Sequence, residues 1–355
     1  MANVSRLRVL SIGGTGNISR AVTELLTRRG VDLTLLNRGQ SDTTGDVRSI
    51  HADIRDGQAV AAALRNERFD VVIDWIAFTP EHVATDIELF AGIVSQYVFI
   101  SSASVYQQPS PVYPLVEDAP LGNPGWQYAT DKIACEDLLR RETGFPSTIV
   151  RPAHTYGETR IPTAVDGEGY TIVDRMRRGK QVIVHDDGTS LWTLTHNTDF
   201  ARALAGLLGN AAAVGESFHL TSDFALTWDQ VTETIAAAAG LEPPDIVHIP
   251  SETIAAVDAG LGKELLCDKR HSLVFDNSKL KRFVPGFEAT VSFADGIERS
   301  LAWFDADPAR QTIDAERDAL LDRIIANSME NVPLEPVVPK SAARVEPVKQ
   351  RDEVR

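Results

Sequence analysis

The chain has 355 residues, 43% hydrophobic and 24% charged, enough for one large or two modest domains with a sizeable core. Its formal net charge of -15 repels nucleic acid and anionic membrane at long range, so neither is expected as a partner. A phosphate-bearing ligand is not excluded, because helix N-termini bind phosphate whatever the net charge. Two cysteines, Cys135 and Cys267, make no disulfide framework and show no metal-ligand spacing. Free structural thiols in a reducing compartment are expected, with no bound metal. No apolar run approaches a membrane span, and residues 1–10 lack a signal-peptide core. A cytoplasmic location is expected.

Residues 7–12 (LRVLSI) read as a buried strand, and 17–29 as a helix with Ile18, Val22, Leu25 and Leu26 on one face. Strands follow at 31–36, 47–52 and 69–73, with a helix at 57–66 before the last of them. A helix after Pro80, a fifth strand at 97–101, a helix at 127–142 and a sixth strand at 147–150 complete the run. Short β-branched strands separated by helices predict right-handed crossovers and a doubly wound parallel α/β sheet. After Arg151 the pattern loosens. A helix at 170–178 and a strand at 181–185 precede helices at 199–208, 228–239, 251–259 and 293–304. Residues 1–165 are therefore expected to form mainly a dinucleotide-binding domain, whose sheet is free to recruit later segments. Residues 166–330 are expected to form mainly a smaller α/β substrate domain. Residues 331–355, rich in Pro and charge, are expected to be disordered or loosely attached.

The first strand runs into Gly13-Gly14-Thr15-Gly16-Asn17-Ile18-Ser19, and a helix follows at once. Glycine permits the sharp turn and the close approach of backbone to a pyrophosphate, and the helix N-terminus offers free N–H groups. Gly13 and Gly16 hold a G-x-x-G spacing, and Ser19 stands where a third glycine is common. A plain tight turn is the bland alternative; the strand-turn-helix setting favours a dinucleotide. After the second strand comes Asn37-Arg38-Gly39, where an acid for the ribose hydroxyls would stand. A guanidinium suits a 2′-phosphate, which favours NADP over NAD. Arg38 stacked on adenine or facing solvent is the alternative. Asp53, beside Ile54, either accepts from the adenine amino group or caps the next helix.

Tyr128 and Lys132 stand four apart on a predicted helix, which puts them on one face. A phenol is a poor base at neutral pH, but a neighbouring ammonium favours its phenolate, so the pair suits proton exchange with an alcohol or carbonyl. Upstream, Ser101, Ser102 and Ser104 end the fifth strand, at the edge where open α/β sheets bind ligands. Their hydroxyls either bond a substrate oxygen or cap their own turn.

Together these segments resemble the extended short-chain dehydrogenase/reductase family, the NAD-dependent epimerase/dehydratase group. The likeness covers about residues 7–304 and rests on GGTGNIS (13–19), HADIRD (51–56), FISSASVY (99–106), YATDK (128–132), RPAHTYG (151–157) and DNSKLKRFVPGF (276–287). It implies a Rossmann domain with a smaller C-terminal substrate domain, and often a homodimer built on two helices per subunit. It implies Ser102, Tyr128 and Lys132 as catalytic residues, with Ser104 a lesser candidate for the substrate hydroxyl. The cofactor would meet Gly13, Thr15, Gly16, Asn17 and Ile18 at its phosphates, and Asn37, Arg38, Asp53 and Ile54 at its adenosine. Ala77, Tyr128, Lys132 and Pro152 would lie at its nicotinamide end. Ser102, Ser104, Tyr128, His154 and Trp192 would meet the substrate, a sugar or sugar derivative. His154 either lines that pocket or packs in the turn after the sixth strand, and Trp192 either covers a sugar face or packs in the core. The hydroxyl strand end carries Ala103 and Ser104 where dehydratases of the group carry an acidic pair, so elimination of water is not expected. Arg270-His271-Ser272-Leu273 lacks the acid of the diphosphate-binding Arg-x-x-Asp. Epimerisation and simple oxidation or reduction use the same Ser, Tyr and Lys. Asn37-Arg38-Gly39 also resembles an atypical branch with chloroplast RNA-binding relatives. A non-catalytic dinucleotide sensor or RNA-binding protein is the second reading.

Overall fold

The computed structural model describes residues 7–39, 47–165 and 167–330. The expectation for the tail at 331–355 lies outside them. The first half alternates β1 (Arg8–Ile12), α1 (Asn17–Arg28), β2 (Asp32–Asn37), β3 (Arg48–His51), α2 (Gly57–Leu64), β4 (Val71–Asp74), α3 (Pro80–Phe90), β5 (Gln96–Ile100), α4 (Gln127–Arg141) and β6 (Ser147–Pro152). Side chains alternate across a strand, and here both faces are covered. Val9, Val71, Ile73, Val98 and Ile100 pack with Val22 and Leu26 of α1 on one side. Leu10, Ile12, Val72, Tyr97 and Phe99 pack with Val83, Phe90, Cys135 and Leu139 of α3 and α4 on the other.

The later elements are β7 (His154–Tyr156), α5 (Thr171–Arg177), β8 (Val182–His185), β9 (Leu191–Trp192), β10 (Leu194–His196), α6 (Asn197–Leu207), β11 (Ser217–Leu220), β12 (Leu226–Thr227), α7 (Trp228–Ala238) and β13 (Ile246–Ile249). Then come α8 (Ser251–Val257), α9 (Ala259–Glu264), a single π-helical turn (Leu265–Lys269), α10 (Ser278–Phe283), α11 (Phe293–Asp305) and α12 (Ala315–Glu330).

The main sheet is seven-stranded and parallel throughout, in the order β11-β6-β5-β4-β1-β2-β3. This is the doubly wound order with β11 added beyond β6. The order in which strands are added reverses between β1 and β4, so the crevice opens at the carboxyl ends of those strands. Three short two-stranded pairs, β7 with β10, β8 with β13 and β9 with β12, lie outside it. Around them a third core gathers Trp192, Trp228, Phe304 and Leu321. Helix α12 is held by Arg175 of α5, which donates to Asp318 at 2.5 Å and Asp322 at 3.0 Å.

Candidate active site

The first βα turn is built by backbone conformations that L side chains rarely adopt. Gly13 has φ +100° and Gly14 φ +92°. A Cβ on Gly14 would come within 2.8 Å of Leu35 Cδ2, so the turn also packs tightly on β2. Ser19, at the third-glycine position, is buried; its hydroxyl accepts from Gly16 N at 2.9 Å and closes the first turn of α1. The first-turn amides of α1 stand at the mouth of this loop.

A hollow of about 340 Å³ beside the loop is lined by Gly13, Thr15, Asn37, Arg38, Asp53, Ile54 and Arg55, among others. Arg38 is exposed, and Arg55 reaches across to donate to Ile76 O at 2.9 Å. A positive-φ glycine turn, two guanidiniums and an aspartate around one hollow are donors and acceptors that fit the phosphates and adenosine of a dinucleotide. Asp53 does not cap the next helix. It accepts from Arg55 N at 3.0 Å in a local turn, and Asp56 caps α2 by accepting from Ala59 N at 3.0 Å. Three further expected cofactor residues also make contacts within the protein. Asn17 Nδ2 donates to Thr155 O at 3.1 Å, Ile18 packs against the core, and Ala77 is buried with its N–H given to Asp74 Oδ1 at 2.9 Å.

A second cavity, about 520 Å³, lies at the carboxyl ends of β5 and β6. Ser102, Ser104, Tyr128, Pro152, His154 and Trp192 all line it. β5 delivers the serines, α4 delivers Tyr128, and the turn after β6 delivers His154. Ser102 stands beside the Tyr128 phenol in the cavity wall and favours its ionised form. Burial pushes that phenol above its ordinary pKa, Ser102 opposes the rise, and the Asp268 charge adds to it.

Lys132 is placed differently from a bonded partner of the phenol. Its buried Nζ donates to Ala77 O and Ile100 O, both at 2.7 Å, and sits 5.9 Å from the centre of the Tyr128 ring. Burial lowers its pKa to about 8. Lys132 therefore ties α4 to the ends of β4 and β5 and presents its charge near the ring rather than at the oxygen.

His154 both lines the cavity and packs: its ring stands edge-on to Trp192 and Trp228, at 6.1 and 6.2 Å. Burial, with Lys269 and Arg160 nearby, lowers its pKa to about 3, so it is neutral at physiological pH. Its Nε2 lies 3.0 Å from Glu168 Oε1, and Glu168 also pairs with Arg160. Trp192 is 3% exposed, and its Nε1 donates to Lys269 O at 2.9 Å and His271 O at 3.0 Å. Arg270 stands outside the cavity lining, paired with Glu252 at 2.7 Å.

Of the acids lining the cavity, Glu168, Glu264 and Asp268, the buried one, Asp268, has a role that the sequence does not disclose. Asp268 is 8% exposed, lines the cavity, and accepts from Ser104 Oγ at 3.4 Å. Its other oxygen, Oδ1, is buried without a hydrogen-bond partner among the described residues. Burial raises its pKa to about 7, which Lys269 and Ser104 oppose. The segment LLCDKRH carries no motif. The only local signal is conformational: the acid sits in a π-helical turn, a feature that concentrates at functional sites.

The fold and this pair of cavities define a dinucleotide-binding α/β protein with a phenol and hydroxyls at the sheet edge. The NAD-dependent epimerase/dehydratase family model matches residues 9–220, and the chain belongs to that family. The chain is 26% identical over 336 residues to the chloroplast stem-loop binding protein of 41 kDa b of Arabidopsis thaliana, covering 90% of this chain and 84% of the relative. It is 29% identical over 290 residues to the 2′-dehydrokanamycin reductase of Streptomyces kanamyceticus, covering 79% and 80%. The epimerase of Methanothermobacter thermautotrophicus has a similar fold, with TM-score 0.70, 19% identity, and coverage of 88% of this chain and 96% of that one. Among the described residues no helix is long and apolar enough to cross a membrane.

Proposed function

We propose that this chain oxidises a secondary alcohol or reduces a ketone on a sugar or sugar derivative, with NADP preferred to NAD, and epimerises the carbon if the ketone is held and reduced from its other face. The observation that carries the reading is one cavity lined by both a half-buried phenol and a serine hydroxyl, next to a glycine turn fitted to a dinucleotide. When bound, the nicotinamide supplies or accepts a hydride. Tyr128 exchanges a proton with the substrate oxygen, and Ser102 bonds that oxygen and stabilises its developing charge. Lys132 fixes α4 against the strand ends so that the phenol keeps its aim. Neutral His154 and Trp192 wall the far side of the cavity and favour an uncharged, hydroxyl-rich group. The expected homodimer and the division into two functional domains belong to the same reading.

The test uses the full chain with NADP⁺ or NADPH and two probe ketones, 2′-dehydrokanamycin and dTDP-4-dehydrorhamnose, followed by a panel of free and nucleotide-linked sugars. A net change in nicotinamide absorbance marks a dehydrogenase or reductase, and sugar conversion without it marks an epimerase. Failure of every probe, together with full biological activity of Tyr128→Phe, would remove the enzymatic reading. RNA binding is the second reading, favoured by the stem-loop binding relative. The net charge of -15 opposes it, and salt-dependent binding of a stem-loop RNA by this chain would support it.

A further inference from the structure

The segments that bear Ser104 and Asp268 are 164 residues apart in sequence, yet they are stitched together. Asn123 Nδ2 donates to Ser104 O at 3.2 Å and to Cys267 O at 2.8 Å. That crosslink holds the π-helical turn against the serine turn after β5. Within it the hydroxyls form a directed series. Tyr128 and Ser102 line the same cavity, Ser102 Oγ donates to Ser104 Oγ at 3.1 Å, and Ser104 Oγ donates to Asp268 Oδ2 at 3.4 Å. Ser102 Oγ also accepts from Ser104 N at 3.2 Å, which occupies one of its lone pairs and leaves its hydrogen free to point along the series.

We propose that Asp268 is the proton reservoir of this site, exchanging a proton with Tyr128 through Ser104 and Ser102. The inference rests on the reading of Tyr128 as the acid/base and extends it. In the step, the O–H bond of protonated Asp268 breaks as one forms on Ser104. Ser104 gives its own hydrogen to Ser102, and Ser102 gives its hydrogen to the phenolate of Tyr128. Net, one proton moves from Asp268 to Tyr128, no electrons change hands, and the carboxylate regains its proton from solvent in the cavity. The Ser102-to-Ser104 and Ser104-to-Asp268 hydrogen bonds left behind are those seen in the structure, both donating toward Asp268. Lys132 is poorly placed for this duty, since two of its hydrogens are held by Ala77 O and Ile100 O.

The surroundings of Asp268 suit a group that changes charge near neutrality. Of the charged groups lining the cavity, Arg160, Glu168, Glu264, Lys269 and Arg317, Lys269 favours and Glu264 opposes its ionised form. The Cys267 thiol and Tyr128 phenol, both facing it, are neutral at that pH, their pKa values raised chiefly by burial. Its pKa of about 7 is the value expected of a reservoir that must both hold and release a proton.

The test is carboxyl ¹³C NMR of the full chain labelled at aspartate, with and without NADP⁺, the Asp268→Asn variant assigning the resonance. A midpoint near 7 is expected. Ser104→Ala removes a donor to the carboxylate and should move the midpoint up. Tyr128→Phe removes only the far end of the series, and should move it up by a smaller amount. A midpoint in the ordinary aspartate range, or one that Tyr128→Phe leaves unchanged while Ser104→Ala moves it, overturns the proposal, because Asp268 is then a buried acid with no line to the phenol. The readout needs no turnover, so this failure is distinct from a failure of the ketone assay.

Discussion

Arg151 and Glu136 form a two-point ion pair with neither side chain more than 1% exposed: Nε to Oε1 at 3.0 Å and Nη2 to Oε2 at 2.6 Å. Arg151 precedes Pro152 of the cavity wall, and Glu136 lies one turn beyond Lys132 on α4. Ser101 Oγ also donates to Glu136 at 2.6 Å, and Arg151 donates to Tyr106 Oη at 2.9 Å. The network thus pins α4, β5 and β6 under the site.

Breaking one side of such a pair leaves the other charge buried and unmatched, at a cost of about 3–5 kcal/mol. Glu136→Gln should destabilise the chain by that order in urea unfolding. A loss below about 1 kcal/mol would mean that Arg151 finds water or another acid. The pH dependence follows from the carboxyl. Burial pushes its pKa up, the Arg151 bonds and charge outweigh that, and the net shift is downward from 4.5. The stability it supplies is therefore complete above the unfolded value and is lost as pH falls through the lower, folded value. Acid unfolding of the wild type should lose this contribution below pH 4.5, and Glu136→Gln should lack it.

Tyr128→Phe should lower turnover of any active probe ketone by roughly 10²–10⁴, the range for a positioned acid/base, without weakening NADPH binding measured by fluorescence. Ser102→Ala should cost about 10²–10³, as loss of one donor to a developing oxyanion does. Equal losses of NADPH affinity in both variants would point instead to a collapsed cavity.

The glycine turn and Arg38 separate two properties of the dinucleotide site. Gly14→Ala puts a methyl 2.8 Å from Leu35 Cδ2 at φ +92°, so it should destabilise the fold by about 1–3 kcal/mol and weaken both NAD⁺ and NADP⁺. Arg38→Ala removes an exposed side chain and should leave stability within about 0.5 kcal/mol of wild type. If Arg38 meets a 2′-phosphate, the Kd for NADP⁺ should rise about 10-fold or more, from a charge-assisted bond of about 1.5–3 kcal/mol, while that for NAD⁺ changes little. Equal effects on the two cofactors would assign Arg38 to adenine stacking.

These expectations trace how much of the molecule its sequence discloses. β4 and β5 are legible because strands buried on both faces have to be apolar throughout, as VVID and QYVFI nearly are. The glycine turn and Tyr128/Lys132 are legible because their chemistry is local in sequence. β11, Ser217–Leu220, reads SFHL, with two polar residues and no β-branched one, so it does not announce itself, although it completes the sheet. Helix α12 is legible in principle, because Leu320, Leu321, Ile324 and Ile325 recur at helical spacing. Asp53 and Asp56 are both plausible caps in HADIRDG, and only the three-dimensional turn decides for Asp56. The position of the Lys132 ammonium depends on two carbonyls, Ala77 O in the loop after β4 and Ile100 O at the end of β5, which no spacing on α4 encodes. Asp268 is the extreme case, since its role is set by a serine 164 residues away.

Asp268 should also reveal itself in stability. Its folded pKa is raised from 3.8 to about 7, chiefly by burial, so the folded state resists its ionisation. Between those values the folded chain binds more protons than the unfolded chain, and stability falls as pH rises. Each pKa unit is worth about 1.4 kcal/mol, and water reaching the cavity will relieve part of the total. Asp268→Asn keeps the shape, lets an amide oxygen accept from Ser104, and removes the charge. The variant should therefore be more stable than wild type at pH 8, by ~2 kcal/mol, with the advantage gone near the unfolded pKa of 3.8. It should at the same time turn over a probe ketone more slowly, because the group whose ionisation burdens the fold is the one that returns the proton. A variant less stable than wild type at pH 8 would show that the carboxylate is held by partners that compensate its burial, and the raised pKa would lose its physical basis.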